Sequence, residues 1–168
     1  MPELPKGMLR GDRPVDQNFD GAELLYRRVP PDSWKNGHDK ITLDAIDLPD
    51  MSVLRSRYAH PEWARFHGDQ YTYADWGIIG FAVQDIPPQF LDQGVFTYTF
   101  APHHAPEKRN YPHTEVRAFE NNVHISVRDR LSPSAHLRWR GLLLRRIQKV
   151  ILPREERDVQ SESPPPQN

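Results

Sequence analysis

No cysteine occurs among the 168 residues, which removes disulfides, thiol nucleophiles and cysteine-ligated zinc together. Long apolar runs are also missing: nothing approaches the roughly 20 residues of a membrane-spanning helix. Residues 1–20 hold no apolar stretch of the kind a secretory signal requires. Charge of one sign is absent as well. The 22 Lys+Arg against 23 Asp+Glu leave a formal charge of -1, so no global field draws the chain to nucleic acid or membrane. There is no phosphate-cradling glycine loop, no Gly-x-Ser-x-Gly elbow and no His-Glu-x-x-His helix. The nearest approach to a nuclease pattern, Asp92 followed by Glu115-Val116-Arg117, has arginine where a lysine is wanted. Asp44, Asp47 and Asp50 lack the glycine and glutamate of a calcium loop and read as solvated loop acids. The expectation is one soluble, cytoplasmic domain with no cofactor and no membrane contact.

What is abundant is proline, 17 residues, and its placement marks where elements end. Residues 1–19 read as a flexible leader, 20–153 as a single α+β domain, and 154–168 as a disordered tail ending in three prolines. Within the domain, alternation from Leu24 to Val29 predicts a strand with Leu24, Tyr26 and Arg28 on one face and Leu25, Arg27 and Val29 on the other. A strand or loosely packed loop follows at 41–48, a short extended piece at 51–57, and a helical turn or two at 60–66. The run 77–86, apolar on both faces, predicts a strand in the centre of the sheet. A strand at 95–100 leads to a long loop over 101–112. Asn121-Asn122 then joins strands 113–120 and 123–130, because asparagine tolerates the positive φ of a two-residue hairpin. A helix capped by Ser132 or Ser134 runs to about Leu152. The fold class is therefore α+β: an antiparallel or mixed sheet of five to six strands packed by one long C-terminal helix.

A two-residue turn fixes the hairpin register, pairing Glu120 with Val123, Phe119 with His124, Ala118 with Ile125 and Glu115 with Arg128. One face is apolar. The other gathers His113, Glu115, Arg117, His124, Ser126, Arg128 and Arg130, a set that attracts an anion such as phosphate. The same pattern also describes the ordinary solvated face of a half-buried sheet. His103, His104, His113 and Glu115 add three imidazoles and a carboxylate, in principle a zinc or iron set, although only His113 and Glu115 are linked by strand geometry.

Arg27 and Arg28 are adjacent on a strand, so one of them approaches the core and needs a carboxylate or a ligand there; the alternative is an edge strand with a snorkelling arginine. Leu25-Tyr26-Arg27 resembles the opening strand of ADP-ribosyltransferases, which place an arginine at the end of a first strand to hold NAD. In the C-terminal helix, Arg138, Arg145 and Lys149 fall on one ridge with Arg146 at its edge, and Arg140 lands in the apolar sector where it needs an acidic partner. Residues 133–157 carry seven basic and two acidic side chains while 20–50 carry four and seven, so the near-neutral total hides a separation of charge. The ridge can be a solvated face, a contact for nucleic-acid phosphates, or a dock for an acidic protein.

Leu24–Pro31, Met51–Arg55, the apolar strand at 78–83 and Asn110–Val116 together resemble a group of small uncharacterised bacterial proteins. The resemblance implies an accessory component of a bacterial system, with phage defence as the suggested setting, and carries no catalytic residue with it. Two functions follow as expectations. The first is a non-catalytic accessory subunit docking a larger bacterial protein or nucleoprotein complex, with Arg138, Arg145, Arg146 and Lys149 touching nucleic-acid phosphates or the partner. The alternative is a small hydrolase or transferase acting on a phosphate-bearing substrate, with His113 as general acid/base, Glu115 orienting it, and Arg117 or Arg128 holding the anion. The two differ in shape: an enzyme encloses these groups in a concavity, and a docking subunit exposes a flat patch or the ridge.

Overall fold

Alternating residues from Leu24 form the first strand, β1 (Leu24–Val29), with Leu25 and Val29 fully buried on one side and Tyr26 and Arg28 on the other. A computed structural model describes residues 2–92, 94, 96–126 and 131–154. After a ribbon of β2 (Trp34–Lys35) and β3 (Lys40–Ile41) come β4 (Met51–Arg55), β5 (Gly77–Ala82), β6 (Gln89–Asp92), β7 (Phe96–His104), β8 (His113–Glu120) and β9 (Val123–His124). Helix α1 (Pro133–Leu144) and β10 (Gln148–Ile151) complete the chain. The order across the main sheet is β10-β5-β1-β4-β8-β7-β6, with β9 on β8, and every pairing is antiparallel. The protein is α+β, and its sheet is larger than five to six strands because β6 and β10 extend both edges.

One sheet face carries the main core. Leu25, Val53, Ile79, Phe81, Phe100 and Val116 meet Ala135, Trp139 and Leu143 of α1, which lie four residues apart on one helix stripe. Ser132 Oγ accepts from the Ala135 amide at 3.2 Å, with Pro133 in the first turn. The opposite face has a smaller cluster of Met8, Leu54, Ala59, Ala64 and Ile78, and beside it a polar concavity.

Three stretches differ from expectation. The helix stops at Leu144, and residues 148–151 pair with β5 as an edge strand. Without β10 the buried, wholly apolar β5 would leave a row of unpaired backbone groups, and satisfying them outweighs continuing a helix through Gln148-Lys149-Val150-Ile151. Gly80 lets the edge close: a Cβ there would stand 3.1 Å from Val150 Cγ2. Strand β7 runs on to His104, so part of the expected 101–112 loop is ladder. Pro102 is tolerated because β6 pairs with β7 only as far as Thr99, leaving the β7 outer edge open there. Finally, residues 2–19, expected as a flexible leader, lie against the sheet, with Met8 1% exposed and its carbonyl accepting from the Tyr111 amide at 2.8 Å.

That segment is held by a buried polar knot. Arg55, fully buried, forks onto Glu23 (Nε–Oε2 2.8 Å, Nη2–Oε1 2.9 Å), donates to the carbonyls of Asp16 and Asn18, and lies 4.0 Å from the Phe19 ring centre. Tyr58 donates to Asp16 Oδ2 at 2.6 Å, which holds the Asp16 carboxyl below the usual range; burial and that bond push the Tyr58 hydroxyl up to about 12. His104 Nδ1 accepts from the Asp16 amide at 2.9 Å, so its proton sits on Nε2 and goes to the Tyr111 carbonyl at 2.7 Å.

Burial lowers the His104 pKa below the ordinary histidine value, and His103 and His136 shift the same way for the same reason. The unfolded chain then binds protons that the folded one refuses, so stability is full above the unfolded value of about 6.5 and is lost as pH falls below it. The thermal midpoint is expected to drop between pH of about 7.5 and about 5.5 in constant salt. A level midpoint across that window would contradict the neutral, buried His104.

Candidate functional site

The register of the three central strands builds the site. Tyr26 of β1 faces Leu54 of β4, and Arg28, two residues on from Tyr26, lies on the same face of β1. On the next strand, Ser52 faces Glu115 and Leu54 faces His113. Arg28, Ser52 and His113 therefore share the sheet face that α1 leaves uncovered. They line a concavity of about 510 Å³ together with Tyr26, Trp63, Phe66, His67 and the turn residues 107–110.

His113 is buried, yet both of its ring nitrogens are engaged. Nδ1 lies 2.8 Å from the Ala105 carbonyl, and Glu107 Oε1 lies 3.3 Å from the same nitrogen. A carbonyl can only accept, so Nδ1 carries the proton of the neutral ring and Nε2 is the free lone pair. Ser52 Oγ is 3.0 Å from Nε2 and donates to it. A hydroxyl, an imidazole aligned to take its proton, and an oxygen fixing the tautomer is the arrangement that activates a serine. Ser52 itself is exposed to the concavity.

Arg28 supplies charge. Its Nη1 donates to the Ala64 and Phe66 carbonyls at 3.2 and 3.4 Å, and the guanidinium lies 3.9 Å from the Tyr73 ring centre. Among the described residues no carboxylate comes within ion-pair distance of it. Burial pulls its pKa down, with Tyr73 and Glu107 acting in the opposite direction. A part-buried cation held by carbonyls and a ring is oriented without being neutralised, which suits it to an anionic ligand. Arg27 points to the other face, where Nε donates to the Ala45 carbonyl at 2.6 Å and Nη1 to the Ser52 carbonyl at 3.0 Å; burial takes its pKa down to about 10. Arg27 is thus the arginine on the core face, β1 is not an edge strand, and carbonyl oxygens take the place of the carboxylate or ligand expected there.

The residues singled out from sequence are distributed as follows. His113 is in the concavity. Glu115 does not orient it: its carboxylate receives Arg117 Nε at 3.0 Å, and the orienting oxygens come from Ala105 and Glu107 in the turn. The hairpin register is as expected where described, with Asn121 and Asn122 at φ 48° and 66°, and His124 turns to Asp50 Oδ1 at 2.8 Å. Arg128 and Arg130 lie outside the described residues. His103 faces Glu115, but His104 projects to the other side of β7 into the buried knot, so the four-residue metal set is not assembled. Among the described residues no group of three or more His, Asp or Glu is placed to hold a metal.

The basic ridge is corrected. Arg138 is on exposed α1 surface, Arg145 is the residue after the helix, Arg146 follows in the turn, and Lys149 is in β10 with Nζ donating to the Asp39 carbonyl at 3.0 Å. They do not share one helix face. No helix among the described residues is long and apolar enough to cross a membrane. Sequence reasoning passed over Ser52 and Glu107; strand alternation puts Ser52 on the same sheet face as Arg28 once β4 is known to lie beside β1.

Comparison of the chain with protein-family models, with curated proteins and with solved structures finds no match.

Proposed function

We propose that this protein is a small hydrolase or transferase acting on a phosphate-bearing substrate, with Ser52 as nucleophile, His113 as general base and Arg28 holding the anion. The observation that carries the reading is the 3.0 Å contact between Ser52 Oγ and the unprotonated nitrogen of His113, within a concavity that also holds the Arg28 guanidinium with no carboxylate in ion-pair distance among the described residues. In the first step His113 Nε2 takes the hydroxyl proton as Ser52 Oγ bonds to the electrophilic centre. The departing group leaves with the electron pair of the broken bond and collects that proton from the imidazolium. Water, or a second substrate hydroxyl, then attacks the covalent intermediate. It yields its proton to His113, and Ser52 Oγ leaves with the electron pair and recovers the proton.

The nucleic-acid contact added to the docking-subunit reading loses its helix ridge, since the helix ends at Leu144 and Lys149 belongs to a strand. Testing begins with binding and turnover of phosphomonoesters, nucleotides and NAD, the last because of the resemblance of Leu25–Arg27 to ADP-ribosyltransferase openings. Arg28→Gln is expected to weaken a phosphate-bearing ligand by roughly tenfold or more, as loss of a charge-assisted contact does. A wild-type protein that binds none of these compounds, or an Arg28→Gln variant that binds them equally well, would overturn the reading in favour of a docking role.

A further inference from the structure

A second and larger cavity, about 910 Å³, opens beside the first, and the Lys108–Arg109 wall lines both. Its far side is built by residues 9–14 of the N-terminal segment. The charge there is unbalanced: Arg10, Arg13, Lys108 and Arg109 stand against Asp12 and Asp69. Arg109 pairs with Asp69. The other cations have no carboxylate partner among the described residues. Arg13 is held with its guanidinium 3.6 Å from the Tyr111 ring centre and Nη1 donating to the Gly7 carbonyl at 2.9 Å. Arg10 reaches the carbonyls of Arg13 and Pro106 at 3.3 and 3.4 Å, and its amide bonds the Lys108 carbonyl at 3.0 Å. These side chains are positioned by neutral oxygens and a π face, the same device that holds Arg28 in the inner pocket.

We infer that the outer cavity receives a second phosphate of the same substrate, so that the ligand is an extended nucleotide with phosphates on both sides of the Lys108–Arg109 wall. The inference rests on the phosphate-bearing substrate proposed above. Two forms share this chemistry: a dinucleotide joined through its phosphates, and the end of a single-stranded oligonucleotide. Inner and outer sites then divide the work. Arg28 fixes the group beside Ser52, and the outer cations fix the remainder, which makes affinity for the extended ligand steeply salt-dependent.

The test is binding by the full chain, read by calorimetry, of AMP, NAD and a six-nucleotide single strand. Wild type is expected to prefer one of the two extended ligands to AMP by roughly tenfold or more, the size of one or two charge-assisted phosphate contacts. NAD or the oligonucleotide taking the advantage identifies which form applies. Arg10→Gln is expected to remove most of the advantage while AMP affinity changes less than about twofold, since Arg10 lines only the outer cavity. Asp12→Lys, at an exposed residue, is expected to increase it and serves as the second variant should Arg10→Gln disturb the segment. Extended ligands that bind no better than AMP, or variants that shift AMP and the extended ligands alike, overturn the outer site and leave the inner one standing. Failure of AMP, NAD and oligonucleotide to bind wild type overturns the outer site, and failure of the other nucleotides and the phosphomonoesters as well overturns both.

Discussion

His113→Asn is expected to lower turnover by roughly 10²–10⁴-fold, the usual worth of a positioned general base, while leaving the fold and ligand affinity close to wild type. The substitution is chosen for its geometry. The asparagine amide nitrogen stands near where imidazole Nδ1 stands and can still donate to the Ala105 carbonyl, so the turn keeps its anchor. What disappears is the acceptor 3.0 Å from Ser52 Oγ. Ser52→Ala removes the other half of the pair and is expected to cost as much; the double variant should be little worse than either, because the two groups act as a unit. The measurement is kcat on the best substrate from the screen, with affinity read separately. Activity within about threefold of wild type for either variant would remove the serine–histidine pair from the mechanism.

Arg55→Met should destabilise the protein by about 3–5 kcal/mol, because it strands the Glu23 carboxylate and the carbonyls of Asp16 and Asn18 in a buried site. Against a total of about 5–15 kcal/mol for an ordinary domain, that is a large fraction. Arg55 is raised in pKa although its burial works the other way, because the hydrogen bond and charge of Glu23, with the charges of Asp16 and Tyr58, together outweigh it. The variant is therefore expected to lose a paired cation rather than a neutral group. Urea denaturation measures the loss, and limited proteolysis should show residues 2–20 cut first. Changing Glu23 to leucine together with Arg55→Met should recover part of the stability, since replacing both partners by apolar groups removes the stranded charge. A fall of under about 1 kcal/mol for Arg55→Met would mean that water reaches the knot.

Local patterns were legible where one rule decided the outcome. Strand β1 and its two faces followed from alternation, and the hairpin register from Asn121-Asn122. The Ser132 cap followed from the serine-proline start of α1. Composition and propensity misled where distant partners decided. Residues 2–19 read as unstructured because they hold few apolar side chains, yet they are tied down by polar contacts to residues some 40 to 100 positions away, which no local window registers. The 145–152 stretch satisfies helix periodicity and strand alternation alike, and the open edge of β5 settled the matter. The candidate site was half visible. His113 stood out as a histidine on a polar strand face, but Ser52 is one serine among several until the β1-β4-β8 order sets it between Arg28 and His113.

The hydroxyl beside His113 sits on a strand inside the sheet, whereas the turn 107–110 walls its concavity and residues 9–14 wall the adjoining one. Strands β1 and β8 on either side of β4 lock its position, so it has no loop motion with which to adapt to a new molecule. The walls carry no such constraint. Homologues that diverge in what they accept would be expected to swap the turn and the leading segment wholesale, as a tool changes its jig and keeps its cutting edge, and grafting those two stretches alone should transfer preference without retuning the reaction.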